Sequence, residues 1–169
     1  TGIATAYMDS IPLVAITAQV ATNLIGSDAF QEVDITGITR PITKYNYLIK
    51  DVTNIAKTVK EAFYIARSGR PGPVLIDLPI DVQRAETRFE YPSEVEMRSY
   101  KPVYEGHPLQ IERAWKMLKE AKKPLLIAGG GVISANACEE MKKLVETAGI
   151  PITFTLMGLG SFPVNHPLS

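Results

Sequence analysis

Asp51-Val-Thr-Asn-Ile-Ala-Lys-Thr-Val-Lys-Glu-Ala-Phe-Tyr-Ile-Ala-Arg-Ser-Gly69, followed at once by Arg70-Pro-Gly-Pro-Val-Leu-Ile-Asp-Leu78, decides the fold. Val52, Ile55, Val59, Phe63 and Ala66 recur at helical spacing and make one apolar face. Asp51 stands where an N-cap belongs, and Gly69 where a left-handed C′ residue ends a helix. Pro73 to Leu78 is then a nearly unbroken apolar run of strand length, the pattern of a strand buried on both faces. A helix that delivers such a strand predicts a parallel α/β layer.

The same alternation extends in both directions. Thr1 to Met8 reads as helix, and Pro12 to Thr17 as another strand buried on both faces. After a loop with Asn23, Gly26 and Ser27, Asp28 is placed to cap a helical turn running through Phe30, Val33 and Ile35. Thr43 to Ile49 alternates through Tyr45, Tyr47 and Ile49, as a strand does. From Val82 to His107 the periodicity vanishes among charges and prolines. A second α/β unit begins at Pro108, an N1 proline for a helix with Ile111, Ala114, Trp115 and Leu118 on one face. Pro124 to Ala128 predicts a strand, Gly129-Gly130-Gly131 a tight turn, Ala135 to Ala148 a helix ended by Gly149, and Pro151 to Thr155 the next strand. The expected organisation is parts of two Rossmann-like domains, parallel sheets with flanking helices, over residues 1–82 and 108–169, joined by 83–107.

Composition narrows the classes. The 169 residues carry 18 basic and 18 acidic side chains, so no charge excess draws the chain to nucleic acid or an anionic membrane. With 46% apolar residues it can build a core. No run approaches the roughly 20 apolar residues of a membrane span. The single cysteine, Cys138, cannot form an internal disulfide, and Ala137, Met141 and Leu144 around it suggest a packed thiol in a reducing compartment. The chain begins at Thr1 and ends at Ser169 without closing elements, as expected of an interior piece.

Three places can hold chemistry. Gly129 to Gly131 after a strand lets backbone approach a ligand, and the following helix offers N–H groups that suit a pyrophosphate. The plainer reading is a tight turn alone, and Ser134 replaces the last glycine of a dinucleotide fingerprint. Arg70, on a loop stiffened by Pro71 and Pro73, is either a solvated cation or a fork for a phosphate or flavin carbonyl. Gly26 to Glu32 places polar and aromatic side chains beyond a strand end, where open α/β sheets bind ligands, or else is a capped surface helix with Glu32 solvated. His107 and His166 lie apart as surface residues, and no metal cage or nucleophile triad is apparent. Asp77 and Asp81 flank one strand end without evident convergence.

Taken together, several stretches carry a resemblance. Thr1 to Thr17, Ile25-Gly-Ser-Asp-Ala-Phe-Gln-Glu-Val-Asp34, Thr39-Arg-Pro-Ile-Thr-Lys44 and Ser68-Gly-Arg-Pro-Gly-Pro-Val-Leu-Ile-Asp-Leu-Pro79 closely resemble the large catalytic subunit of the thiamine-diphosphate-dependent acetohydroxyacid (acetolactate) synthases. Gly129 to Gly131 and Thr155-Leu-Met-Gly-Leu-Gly160 agree in order and spacing. The resemblance implies the C-terminal part of a pyrimidine-binding domain (1–82), a connection (83–107) and the start of a central FAD-binding domain (108–169).

Further expectations follow from the resemblance. Such enzymes decarboxylate pyruvate on thiamine diphosphate and join the two-carbon unit to a second 2-oxo acid, pyruvate or 2-oxobutyrate, in branched-chain amino-acid biosynthesis. Phe30, Gln31 and Ile80 are expected along the substrate channel, and Arg70, Gly129, Gly130, Gly131, Thr155 and Leu156 at FAD. No catalytic residue or Mg²⁺ ligand is expected in this chain. The activating glutamate and the Mg²⁺–diphosphate motif belong to other parts of the family's sequence, so the chain alone is expected to be inactive. A cytoplasmic homodimer or homotetramer, with a small regulatory subunit, is the implied setting. Ala18 stands where the family has glycine, Ala21 where it has proline, and Ile80 where it commonly has lysine. Ile80 keeps open another member of the superfamily, such as a pyruvate oxidase or a 2-oxo-acid decarboxylase, and the clean βαβ unit would allow a nucleotide-binding module without catalysis.

Overall fold

A computed structural model describes all residues, 1–169, as two compact units, Thr1–Tyr104 and Glu105–Ser169. In the first unit, α1 (Gly2–Met8) leads to β1 (Leu13–Gln19), α2 (Ile35–Thr39), β2 (Tyr45–Leu48), α3 (Ile55–Arg67), β3 (Pro73–Pro79) and α4 (Ile80–Arg84). The three strands are parallel in the order β1-β3-β2, with Leu13 to Gln19 in register with Pro73 to Pro79, and Tyr45 to Leu48 with Val74 to Asp77. β3 is therefore central, which accounts for its unbroken apolar run: Val74, Leu75 and Ile76 are buried completely or nearly so. Its neighbour β1 is not buried on both faces as expected. It lies at the sheet edge, and Ile16 is 64% exposed.

α3 covers one face of the sheet. Ala62, Ile65 and Ala66 are buried with Val74 and Ile76, while Val52, Ile55 and Val59 pack at the margin. Phe63, expected on that face, points outward instead. Asp51 accepts from Thr53 N–H at 2.9 Å and caps a 3₁₀ turn, Val52–Asn54, that feeds the helix. The helix ends at Ser68 and Gly69, the glycine having φ +56°. Asp28 caps nothing, for its own φ is +55°. The cap falls six residues later, where Asp34 accepts from Gly37 N–H at 2.9 Å and opens α2.

The aperiodic stretch after α4 is laid along α3. The Lys60 ammonium donates to the carbonyls of Pro92 and Ser93, and Tyr100 and Met97 pack against the core cluster. The chain through Tyr104 thus belongs to the first unit.

The second unit contains α5 (Pro108–Glu120), β4 (Leu126–Ala128), α6 (Gly130–Ser134), α7 (Cys138–Ala148) and β5 (Ile152–Phe154), with β4 and β5 parallel. Ala128, Val145, Ile152 and Phe162 form its core. The predicted apolar face of α5 is largely uncovered: Ile111 and Trp115 are exposed and only Leu118 is half-buried. The helix expected over Ala135 to Ala148 begins at Cys138 and ends as expected at Gly149, and a further short helix, α6, precedes it. Asn136, with φ +54°, ends α6 through the paired bonds Ala137 N–H to Val132 O and Asn136 N–H to Ile133 O. Asparagine tolerates this conformation because its short polar side chain bonds locally. Cys138, at the first position of α7, is half-buried rather than packed in the core. His166 is not a free surface residue. It lies edge-on to Phe162, accepts from Leu168 N–H through Nδ1 at 3.2 Å, and has Nε2 3.5 Å from Glu146. No helix is long and apolar enough to cross a membrane.

Candidate functional site

Because the strands are parallel, their C-terminal ends open on one edge of the sheet, and the loops leaving those ends gather there. The chain from β1 to α2 does so in the first unit. Gly26, Asp28 and Gln31 all have positive φ, at +87°, +55° and +62°. Two of the three are not glycine, so the loop needs an external hold. Glu32 supplies one. Its carboxylate accepts from the N–H of Gly26 and, at 3.0 Å, from that of Ala29. Those backbone N–H bonds, Gly26 first, hold the Glu32 carboxyl below its ordinary value. Glu32, expected to be solvated, is half-buried and staples the loop.

The staple leaves Phe30 88% exposed. Gln31 lines an open cavity of about 360 Å³ together with Thr17, Ala18, Gln19, Val33 and Ile35. Ile80 begins α4 immediately after β3, at the same edge, because Gln19 of β1 is in register with Pro79. Asp81 beside it accepts from Thr22 N–H at 3.1 Å and from the Thr22 hydroxyl at 2.5 Å, tying α4 to the chain that leaves β1. The hydroxyl bond, foremost, lowers the Asp81 carboxyl. Phe30, Gln31 and Ile80 therefore share one edge.

Arg70 is at the other edge. It precedes β3, and its guanidinium donates from Nε to the Ser10 hydroxyl at 2.8 Å and from Nη2 to the Met8 carbonyl at 3.3 Å. Both acceptors close the end of α1, where Ser10 has φ +59°.

In the second unit Gly129 caps α6 and Gly130 and Gly131 form its first turn, so the expected turn is a helix start. The N–H groups of Gly130 and Gly131 have no partner within the helix, whereas that of Val132 donates to Gly129 O at 3.2 Å. Thr155 and Leu156 leave β5 on the same side, since Thr155 N–H donates to Ala128 O at 2.9 Å. A Cβ on Gly129 would stand 3.6 Å from the Thr155 hydroxyl, one on Gly130 only 3.0 Å from Met157 Cβ, and one on Gly131 would meet nothing within 4 Å. Gly129 and Gly130 thus pack on the second loop, while Gly131 faces open ground. Leu156 is 82% exposed.

Comparison with known proteins bears on both units. The acetolactate synthase large subunit of Corynebacterium glutamicum is 52% identical over 168 residues, 99% of this chain and 27% of that protein. The acetolactate synthase isozyme 3 large subunit of Escherichia coli is 51% identical over 168 residues, 98% of the chain and 29% of that protein. Along nearly its whole length the chain is similar to acetolactate synthase large subunits. A probable large subunit from Methanocaldococcus jannaschii, 52% identical over 172 residues, covers 100% of the chain and 29% of its own length. The chain spans less than a third of the family members it matches. The family model for the thiamine pyrophosphate enzyme central domain matches residues 111–169.

Two residues that sequence reasoning did not assign stand out. Asp77 is the one charged side chain among the buried polar residues, 1% exposed, and it accepts from Thr17 and Gln19. Gln19 in turn reaches Val33. A lone aspartate inside an apolar strand run is the available signal, because carboxylates are seldom fully buried without partners.

Proposed function

We propose that this chain forms part of the large catalytic subunit of an acetolactate synthase. In this reading residues 1–82 complete a pyrimidine-binding domain and residues 108–169 begin a central FAD-binding domain. Identity of about one residue in two along nearly the whole chain carries the proposal. The relatives' names do not favour an oxidase, a decarboxylase or a non-catalytic module.

Thiamine diphosphate, when bound, supplies the carbanion chemistry that removes carbon dioxide from pyruvate and transfers the two-carbon unit to a second 2-oxo acid. The residues of this chain bind and orient around that chemistry. Phe30 provides an apolar wall that excludes water, and the Gln31 amide offers N–H donors to a 2-oxo acid carboxylate. Ile80 contributes hydrocarbon where the resemblance expects a cation, so it favours the substrate's alkyl end over its carboxylate. The open ground at Gly131, the free N–H groups of the α6 turn and the Thr155 hydroxyl fit the approach of an FAD pyrophosphate. Arg70 fits it less directly, with two of its donors already used by α1. No group of three His, Cys, Asp or Glu in this chain is placed to hold a metal. A cytoplasmic homodimer or homotetramer with a small regulatory subunit completes the proposal, and the lone cysteine suits a reducing compartment.

The test is a protein of the relatives' length that contains this chain, supplied with pyruvate, thiamine diphosphate, Mg²⁺ and FAD. Acetolactate should accumulate, and added 2-oxobutyrate should divert product to acetohydroxybutyrate. Acetaldehyde or acetyl phosphate as the main product would sink the proposal.

A further inference from the structure

The Asp77 carboxylate lies at the C-terminal part of the central strand, on the opposite sheet face from Val74 and Ile76 and hence from α3. It has no salt-bridge partner. A buried carboxylate with only neutral donors is costly to the fold, and a shape-matched apolar residue would do as well or better for stability. What the carboxylate does provide is direction. Ionised, it is an acceptor only. It takes the Thr17 hydroxyl proton at 2.8 Å on Oδ1 and one Gln19 amide proton at 3.0 Å on Oδ2. The Gln19 side chain must then present nitrogen to Asp77 rather than oxygen. Its second proton goes to the Val33 carbonyl at 2.7 Å, and its Oε1 accepts from Val20 N–H at 2.9 Å. Both amide protons are spent, so Gln19 is a strut and not a donor to ligand.

We propose that Asp77 is a positioning residue: through Gln19 it fixes Val33, and with it the left-handed loop that presents Phe30 and Gln31 at the cavity mouth. The strut and the Glu32 staple hold this loop from different sides. Glu32 closes it on itself through Gly26 and Ala29, while Gln19 ties it to the sheet. The catalytic consequence rests on the acetolactate synthase reading; the mechanical one does not.

The experiment uses the full-length enzyme with Asp77→Leu, Asp77→Asn and Gln19→Met, numbered as in this chain. Amide hydrogen exchange across residues 26–34 is read beside the melting temperature, kcat and KM. Asp77→Leu and Gln19→Met should speed exchange in that loop about tenfold while the rest of the sheet keeps its protection. kcat/KM for the second 2-oxo acid should fall about tenfold or more, the scale of a small misplacement near a reacting centre. Asp77→Asn keeps an acceptor for Gln19 and can donate to Thr17, so it should restore most of both. Should Asp77→Leu fail to fold, the half-buried Gln19→Met decides alone. Unchanged exchange at 26–34, or a loss of protection spread evenly with a lowered melting temperature, overturns the proposal. A loosened loop in a full-length protein that makes no acetolactate refutes the activity and leaves the positioning intact.

Discussion

Lys44 Nζ lies 2.6 Å from the carbonyl oxygen of Ser68 and also donates to that of Ile65, so the residue just ahead of β2 closes the C-terminal end of α3. The Tyr100 hydroxyl, 3.1 Å away, completes the arrangement from the aperiodic stretch. Helix C-termini leave carbonyls without partners and carry partial negative charge, which an ammonium satisfies twice over. Lys44→Met should therefore destabilise the chain by about 1 to 3 kcal/mol, the range for charge-assisted hydrogen bonds. Lys57→Met, which removes an exposed ammonium 3.8 Å from the mostly covered Glu61 carboxylate, should change it less, by about 0.5 kcal/mol. Urea unfolding of both variants makes the comparison, and equal effects would reject it.

The Glu32 staple predicts a pH response. Its carboxyl is held below the ordinary 4.5 in the fold, so folding favours the ionised form. The stabilisation is fully present above 4.5 and is lost as pH falls through the depressed value. Asp81, lowered by Thr22, has the same sign from an ordinary 3.8. Amide resonances of Gly26 and Ala29 should be steady from neutrality down to pH 5 and move together in stronger acid. Glu32→Gln, which keeps one acceptor oxygen, should weaken the pH response at both amides. Resonances that titrate independently of residue 32 would count against the staple.

The glycines of the second unit separate packing from ligand approach. A Cβ at Gly158 would lie 2.2 Å from Ala128 O, and backbone on both sides leaves no cheap relief. Gly158→Ala should cost about 1 to 3 kcal/mol or more in stability. Gly131→Ala meets nothing and sits in a helix, so it should be neutral or stabilising by up to about 1 kcal/mol. If FAD approaches there in the full-length enzyme, Gly131→Ala weakens flavin binding with no loss of stability. Flavin fluorescence titration reads the first quantity and thermal melting the second, and tight binding by the variant would clear Gly131 of contact.

Arg70 invites the converse test. Its bonds to Ser10 and Met8 make it a brace for the end of α1, and Arg70→Ala should destabilise the first unit by about 1 kcal/mol. Ser10→Ala should produce part of the same loss. Were flavin the main partner, Arg70→Ala in the full-length enzyme would weaken FAD binding while Ser10→Ala would not.

Much of this was readable because it is periodic or abrupt. The face of α3 repeats every three or four residues, Gly69 and Gly149 stop helices by their freedom at positive φ, and β3 is apolar at almost every position. Each signal is local. The Asp28 reading failed because Asp28 and Asp34 offer the same capping chemistry six residues apart, and only the left-handed turn at Asp28 decides between them. Tyr100 and Met97 were invisible in a stretch with no period, since what recruits them is the surface left by α3. The Gln19–Asp77 bond joins positions 58 apart and exists only once β1 and β3 are in register. Ile16 and Trp115 were misjudged because apolar pattern reports what a face prefers, and not whether this stretch of chain supplies the cover.

The central place of β3 sets an order of events during synthesis. β1 and β2 touch each other nowhere in the sheet, and both wait for the strand that emerges last of the three. Until residues 73–79 have left the ribosome, the two earlier strands present unpaired edges, the condition in which nascent chains associate wrongly. α3, the longest helix of the unit, emerges just before β3 and can form locally while the others wait. A pause in translation before Pro73 would prolong the vulnerable interval, and one after Pro79 would let the sheet close.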